Sequence, residues 1–414
     1  MTMSTKRRHC VRTRTPPASA SATETLSVDL LLEIVVRCDV KTIVRCAATS
    51  RTLRRAILNP AFRRQLALQA AACSELDPSL LVGVSYLKYY GNDSSDSEET
   101  AHGVVRTGEP TRRRALRDAV SIRPHQWFMP VAARDALFLR WCDSPQADLH
   151  VCNTLTGQVT ELPLAAVPDA HHRVLLSVGD LGGSFEVLVA DESMRLFQIF
   201  SSKHGKWGAV REASSSSVTS HNRDRTSTCC PRPAIIGRTV YWIIRESRWR
   251  HCLALDVDAA EATVMDLPPG FASRMMRCHC SDKHVLLAPV RGRLSLLVTE
   301  SLGISMWTLL TYGSAKTWNR RLVIGASEML RQAGFLHVRN DLTHAPFDLE
   351  GFGQRSGSLI MSACSRVLFR LDIFVGIKEA PVVKRIGSLE SGRVKDVFLH
   401  EIDQMSYLQA MEFF

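Results

Sequence analysis

Cys278-His279-Cys280, followed by His284, is the one cluster in this chain with the donor types of a metal site. Structural zinc sites draw their ligands from pairs of the C-x-x-C kind or wider. A Cys-x-Cys with one further histidine falls short of that, so these residues read as bystanders in a strand and turn. Cys229 and Cys230, beside Pro231 after a serine-rich stretch, offer no more. Gly179-Asp180-Leu181-Gly182-Gly183 lacks the strand-to-helix setting of a dinucleotide site and reads as a turn, and His171-His172 reads as part of a loop. No G-x-S-x-G elbow, phosphate-cradling glycine loop or H-E-x-x-H helix occurs. The sequence therefore predicts no catalytic residue, no metal and no cofactor, and its function is expected to lie in binding.

Composition narrows the class of partner. The chain has 414 residues, 45% of them hydrophobic, enough to bury a sizeable core. No apolar run approaches the ~20 residues that span a bilayer, and Lys6-Arg7-Arg8 has no apolar stretch behind it before Leu26, so neither a membrane anchor nor a signal peptide is expected. Twelve cysteines scattered without a framework fit a reducing compartment, and the expected location is cytoplasm, nucleus or both. The net charge of +11 is local: residues 1–25 carry five basic and one acidic side chain, residues 26–70 eight and three. A basic excess confined to the first 70 residues does not make a nucleic-acid-binding body, so no nucleic acid and no membrane partner is predicted.

The elements that would carry a binding function fall into two kinds. Residues 1–24, rich in Ser, Thr, Pro and Arg, are expected to be a disordered basic tail. Residues 25–72 read as a helical module. Ser27 caps a first helix whose Leu30, Leu31, Ile34 and Val35 form one apolar stripe, and Asp39 caps a second with Val40, Ile43, Val44 and Ala47. A third holds Leu53, Ala56 and Ile57 and stops before Asn59-Pro60, and a fourth starts near Phe62. Residues 73–127 read as a linker containing an acidic loop at 91–100.

From residue 128 to 414 the pattern is short strands separated by turns: Leu137–Trp141, Leu149–Asn153, Phe185–Ala190, Arg195–Phe200, Thr239–Ile244, Cys252–Asp256, Arg293–Val298 and Ser365–Asp372. An internal repeat runs through them. Leu162-Pro163 returns as Leu267-Pro268, 105 residues later; Trp207 returns as Trp318, 111 later; and Leu255-Asp256 is echoed by Leu371-Asp372, 116 later. A single propeller blade takes roughly 40–50 residues, so this period suits two blades of alternating type. Two pairs and a fifth, partial unit would fill the region. A duplicated β-sandwich is the competing fold.

Between Leu26 and Phe62 the spacing of Leu26, Leu30, Leu31, Ile34, Ile43, Leu53 and the Asn59-Pro60-Ala61-Phe62 ending resembles an F-box, the module that plugs into the Skp adaptor of a cullin–RING ubiquitin ligase. The remainder resembles the F-box-associated, kelch-like regions of plant F-box proteins through Asp148–Gly157, Phe200–Trp207, Gly351–Gly357 and His400-Glu401-Ile402-Asp403. The resemblance implies a mainly β, α+β protein, a small N-terminal helical F-box followed by an all-β kelch-like propeller. It also implies a non-catalytic substrate receptor that docks on a Skp-type adaptor, reaches cullin through it, and presents an unidentified protein substrate. The adaptor contacts it implies are Leu26, Leu30, Leu31, Ile34, Ile43, Leu53, Pro60 and Phe62. Three positions depart from the family pattern: Ser27 replaces proline, Ser50 replaces cysteine, and Leu53 stands where tryptophan is common. Loss of that aromatic anchor is expected to weaken the adaptor interface by about 1–3 kcal/mol if the side chain faces it. The alternatives are a propeller scaffold with a degenerate F-box, and an enzyme with polar groups converging in a propeller channel.

Overall fold

The computed structural model describes residues 26–402 apart from 39, 73–75, 90–99, 107–127, 143–148, 155–156, 180–182, 216–226, 229–231, 247–248, 270, 272–281, 313–314, 336–346, 374–379 and 391. The basic tail, the acidic loop up to Glu99, the Asp39 cap, Cys229-Cys230 and Cys278-His279-Cys280 lie outside the described residues.

Four short helices come first: α1 (Val28–Val35), α2 (Val40–Thr49), α3 (Arg51–Leu58) and α4 (Pro60–Ala72). Ser27 caps α1 by accepting from the Leu30 amide at 3.3 Å. Ser50 caps α3 in the same way, accepting from Leu53 at 3.0 Å, which gives this departure from the family pattern a structural role. Asn59 ends α3, and its Oδ1 accepts from Ala61 at 2.8 Å. Helix α4 begins at Pro60, two residues before the expected start, because a proline in the first turn forfeits no helical hydrogen bond. Val35, Val36, Ile43, Ala47, Leu53, Ile57, Phe62 and Leu66 form the module's own core.

The rest is a five-bladed propeller. The first blade contains β3 (Phe128–Arg134), β4 (Leu137–Cys142), β5 (Leu149–Asn153) and β6 (Val159–Leu162); the second contains β7 (Ala170–Val178), β8 (Phe185–Asp191), β9 (Leu196–Ser201), β10 (Lys206–Trp207) and β11 (Arg211–Glu212). In the third, the inner edge is split into β13 (Ser227–Thr228) and β14 (Ala234–Ile236), followed by β15 (Thr239–Glu246), β16 (Trp249–Asp256) and β17 (Glu261–Asp266), with β12 (Ser214–Ser215) outside. The fourth has β18 (Val285–Val290), β19 (Arg293–Glu300), β20 (Gly303–Tyr312) and β21 (Ala315–Gly325), trailed by a short helix, α5 (Ala326–Gln332). The fifth has β22 (Phe347–Phe352), β23 (Ser358–Ala363), β24 (Val367–Asp372) and β25 (Val382–Ser388). It is a complete four-stranded blade, not the partial unit suggested by the repeat.

A three-stranded sheet closes the ring: β2 (Thr100–Arg106), β1 (Leu81–Tyr89) and β26 (Arg393–Glu401), in that order. The stretch expected to be a linker over 73–127 thus supplies two strands of the closing sheet. Leu81 to Leu87 is apolar enough for a strand, but its partner β26 lies some 300 residues away and no local turn signals the pairing. Ser85 pairs with Phe398, and its hydroxyl meets His400 Nε2 at 2.8 Å in the interior.

Alternation along each strand supplies the seams between blades. In β8, Val187 and Val189 pack with Leu139, Val151 and Leu175 toward the first blade, while Leu188 and Ala190 pack with Trp242 and Leu255 toward the third. A strand buried on both faces reads as a continuous apolar run, as Phe185–Ala190 nearly does. At about 1.5–3 kcal/mol for each large side chain removed from water, these seams dominate the stability of the ring.

Candidate docking face and central channel

The helical module leaves one face of α1 unburied. Leu30 is 49% exposed and Ile34 54%, in a helix that turns Val35 into the core, and Leu26, just before the helix's Ser27 cap, is 57% exposed. Residues at i and i+4 lie on one helical stripe, so Leu30 and Ile34 form one apolar strip in water, and Leu26 is a further exposed apolar side chain just before the cap. Leu31 is half-buried and Pro60 exposed. Ile43, Leu53 and Phe62 are placed differently: they sit in the module's own core at 0%, 9% and 3% exposure. They support the exposed strip from behind and do not form it. Elsewhere on the module, Arg37, Arg45, Arg51, Arg55 and Arg64 are exposed.

The inner edges of all five blades and of the closing sheet enclose a central channel of about 150 Å³, walled by Ala132, Val174, Ile235, Leu287, Phe352 and Phe398 among others. Three arginines and one glutamate interrupt this apolar wall: Arg134, Arg173, Arg232 and Glu401. Arg134 donates to the carbonyls of Leu175 and Leu176, tying the first blade to the second, and burial pulls its pKa below the usual arginine value. Arg173 lies over the Trp141 ring with 5.0 Å to the centroid, and burial lowers its pKa also. Arg232 crosses from the third blade toward the closing sheet, where it stacks on Phe398 at 5.6 Å and reaches Asp396 at 3.6 Å. Sequence reading missed all three, because single arginines at strand ends look like ordinary surface charges until topology brings the strand ends together.

Gly351–Gly357 is the turn that fastens the ring. Glu401 accepts from the amides of Ser356 at 2.7 Å and Arg355 at 3.1 Å, and Arg355 pairs with Asp135 of the first blade. Burial raises the Glu401 pKa above the usual carboxylate value. A Cβ at Gly353 would overlap Glu401 and Ser356, so only glycine admits the carboxylate. Gly357 has φ +65°, and a Cβ there would lie 2.8 Å from the Leu76 side chain. The same turn holds the chain arriving from the helices: Asp77 donates its amide to Arg355 O at 3.1 Å, and Arg370 donates to Pro78 O. The quoted motifs Gly351–Gly357 and His400-Glu401 therefore describe a closure.

Among the described residues no group of three or more His, Cys, Asp or Glu is placed to hold a metal, and no helix is long and apolar enough to cross a membrane.

Comparison with known families gives two matches: residues 83–414 match the family described as "Domain of unknown function (DUF7595)", and residues 24–65 match the F-box domain. No curated protein matches the chain. Among solved structures, a chain of a nidogen/laminin complex is similar at 9% identity, over 76% of this chain and 98% of its own, with a TM-score of 0.35. The hydrazine synthase of Kuenenia stuttgartiensis is similar at 10% identity, over 63% and 75%, with a TM-score of 0.34. The Dos1 propeller is similar at 10% identity, over 65% and 62%, with a TM-score of 0.30. None of their activities carries over to this chain.

Proposed function

We propose that this chain, which belongs to the DUF7595 family, is the substrate-recognition subunit of an SCF-type cullin–RING ubiquitin ligase. Its N-terminal F-box docks on a Skp-type adaptor and its propeller binds a protein to be ubiquitinated. The observation that carries this reading is the strip of Leu30 and Ile34, two large apolar side chains about half exposed on one stripe of an F-box helix, with Leu26 exposed just before that helix's cap. An adjoining apolar strip of this kind on a small, otherwise well-packed module marks an interaction face. Its burial against an adaptor supplies affinity.

Catalysis on the receptor's side is proximity: a lysine-bearing partner held beside the conjugating enzyme's thioester reacts at raised effective concentration, and no residue of this chain acts as acid, base or nucleophile. The connection between module and propeller fits that role. Leu76 against Gly357, Asp77 on Arg355 and Pro78 on Arg370 tie the incoming chain to the fifth blade within a few residues of α4.

Co-purification of the full chain with a Skp adaptor and cullin tests the proposal. The double variant Leu30→Asp/Ile34→Asp is expected to lose both while keeping the unfolding midpoint of the parent. An unaltered yield of adaptor from that variant, or no adaptor with the folded parent, overturns it. Loss of adaptor binding without any change in the level of a propeller-bound partner favours the scaffold alternative.

A further inference from the structure

We propose that the propeller channel is a binding site for a compact oxyanion, a phosphate or carboxylate group, held between Arg173 and Arg232. This inference is independent of adaptor recruitment.

The case begins with charge. A guanidinium stays protonated at any physiological pH, and one withdrawn from water needs a partner. Arg134 has found its partners in two backbone carbonyls, with Asp135 and Glu401 nearby. Arg232 is incompletely matched: Asp396 lies at 3.6 Å, beyond the roughly 2.7–2.9 Å of a charge-assisted hydrogen bond. Arg173 has only the face of Trp141, and no carboxylate among the described residues pairs with it. Nothing else charged offsets its burial. Of the three cations in the channel wall, Arg134 lies near Asp135 and Glu401 and Arg232 reaches Asp396, which leaves Arg173 without a carboxylate among the described residues.

Position sharpens the point. The inner strands share one direction around the ring, so residues early in them gather at one end of the channel and residues late in them at the other. Arg173 and Arg232 come early; Arg134, Gly351, Gln354 and Glu401 come late. The carboxylate is therefore at the wrong end to neutralise Arg173. Gly351 leaves room for Arg232, whose guanidinium would lie 3.2 Å from a Cβ there. A cavity of about 150 Å³ has space for roughly five waters, or for one phosphate-sized group and fewer waters. Low-dielectric walls focus the field of the two arginines on that space. Bidentate N–H donation to a planar or tetrahedral oxyanion is what such forks offer.

The test uses the full chain and compares inorganic phosphate, sulfate and acetate with chloride at matched ionic strength, reading the unfolding midpoint and equilibrium affinity. Phosphate is expected to raise the midpoint saturably above the chloride baseline. Arg173→Gln and Arg232→Gln each weaken that affinity by roughly tenfold to a hundredfold, and Arg173→Lys retains part of it. Midpoints in chloride identify any variant that has simply lost its fold, for which the lysine variant stands in. A short capped peptide carrying one phosphoserine separates the sources. Competition with phosphate at equal or better affinity assigns the group to a protein partner, and exclusion of the peptide assigns it to a free small anion. Absence of any oxyanion-specific shift, or a saturable shift unchanged in both glutamine variants, overturns the proposal.

Discussion

The indole nitrogen of Trp207, at the outer edge of the second blade, donates to the carbonyl of Pro163 at the end of the first blade, 2.6 Å away. Trp318 of the fourth blade makes the equivalent reach to the third, donating to Asp266 O at 3.1 Å. The two bonds explain why the sequence repeats over two blades. The first and third blades each end in an acidic-Leu-Pro turn, and the blade that follows each carries a tryptophan that clips onto it. The second clip lands two residues earlier in the motif, on Asp266, the counterpart of Glu161.

Trp207→Phe keeps the ring packing on Phe200, whose centroid lies 5.4 Å away, but removes the donor. A loss of about 0.5–1.5 kcal/mol is expected on chemical denaturation, the range for one hydrogen bond of this kind. No measurable loss would mean that the clip is redundant with the seam beneath it.

Leu53 separates module stability from adaptor contact. Because its side chain is in the module core, Leu53→Ala is expected to cost the helices about 2–4 kcal/mol. Adaptor capture should fall only at temperatures where the module melts. Circular dichroism and capture, followed together with temperature, check this. A drop in capture with the helices intact would place Leu53 at the interface after all.

Lys283 and Glu350 form an ion pair with a buried carboxylate. Glu350 is 1% exposed and accepts from Lys283 Nζ at 3.0 Å and from Ser362 Oγ at 2.7 Å, while Lys283 also donates to Val394 O in the closing sheet. Lys283→Met strands a buried carboxylate and is expected to cost about 3–5 kcal/mol; Lys283→Met/Glu350→Met should recover most of that. Unfolding free energies of the two variants decide the matter.

Glu401 gives the closure a pH dependence of definite sign. Its pKa is raised by burial, so the folded ring holds this proton more tightly than the unfolded chain does. Its contribution to stability is whole below the ordinary carboxylate value and is lost as pH rises through the folded one. Glu401→Gln, which keeps an acceptor for the Ser356 amide, should therefore flatten the decline of the unfolding midpoint as pH rises above the ordinary carboxylate range. A parallel decline in parent and variant would assign the pH dependence elsewhere.

How much of this was legible in the sequence depended on whether a partner was local. Leu149–Asn153 and Arg293–Val298 pair with neighbours a short turn away, and their strands were readable almost to the residue. Ser27 was readable as a cap because its acceptor role spans three residues. The first of the closing strands was not, since β1 meets β26 only after the ring has formed. The docking strip was half legible: periodicity placed Leu30 and Ile34 on a stripe with Val35, and only packing shows which members the core takes. Arg173 and Arg232 carried no signal at all, and Glu401 only the resemblance of the stretch around it, because the channel that gives them meaning is assembled from six separate strands.

The closing sheet also sets an order of events. Ser85 waits for His400, 315 residues later, before its strand has a neighbour on the channel side. The four helices need nothing beyond α4 for their core. On a ribosome, where domains fold in the order they emerge, the docking helices are complete while the ring is still an open arc with one unpaired edge. Newly made chains therefore pass through a period in which they can meet an adaptor and have nothing yet to deliver.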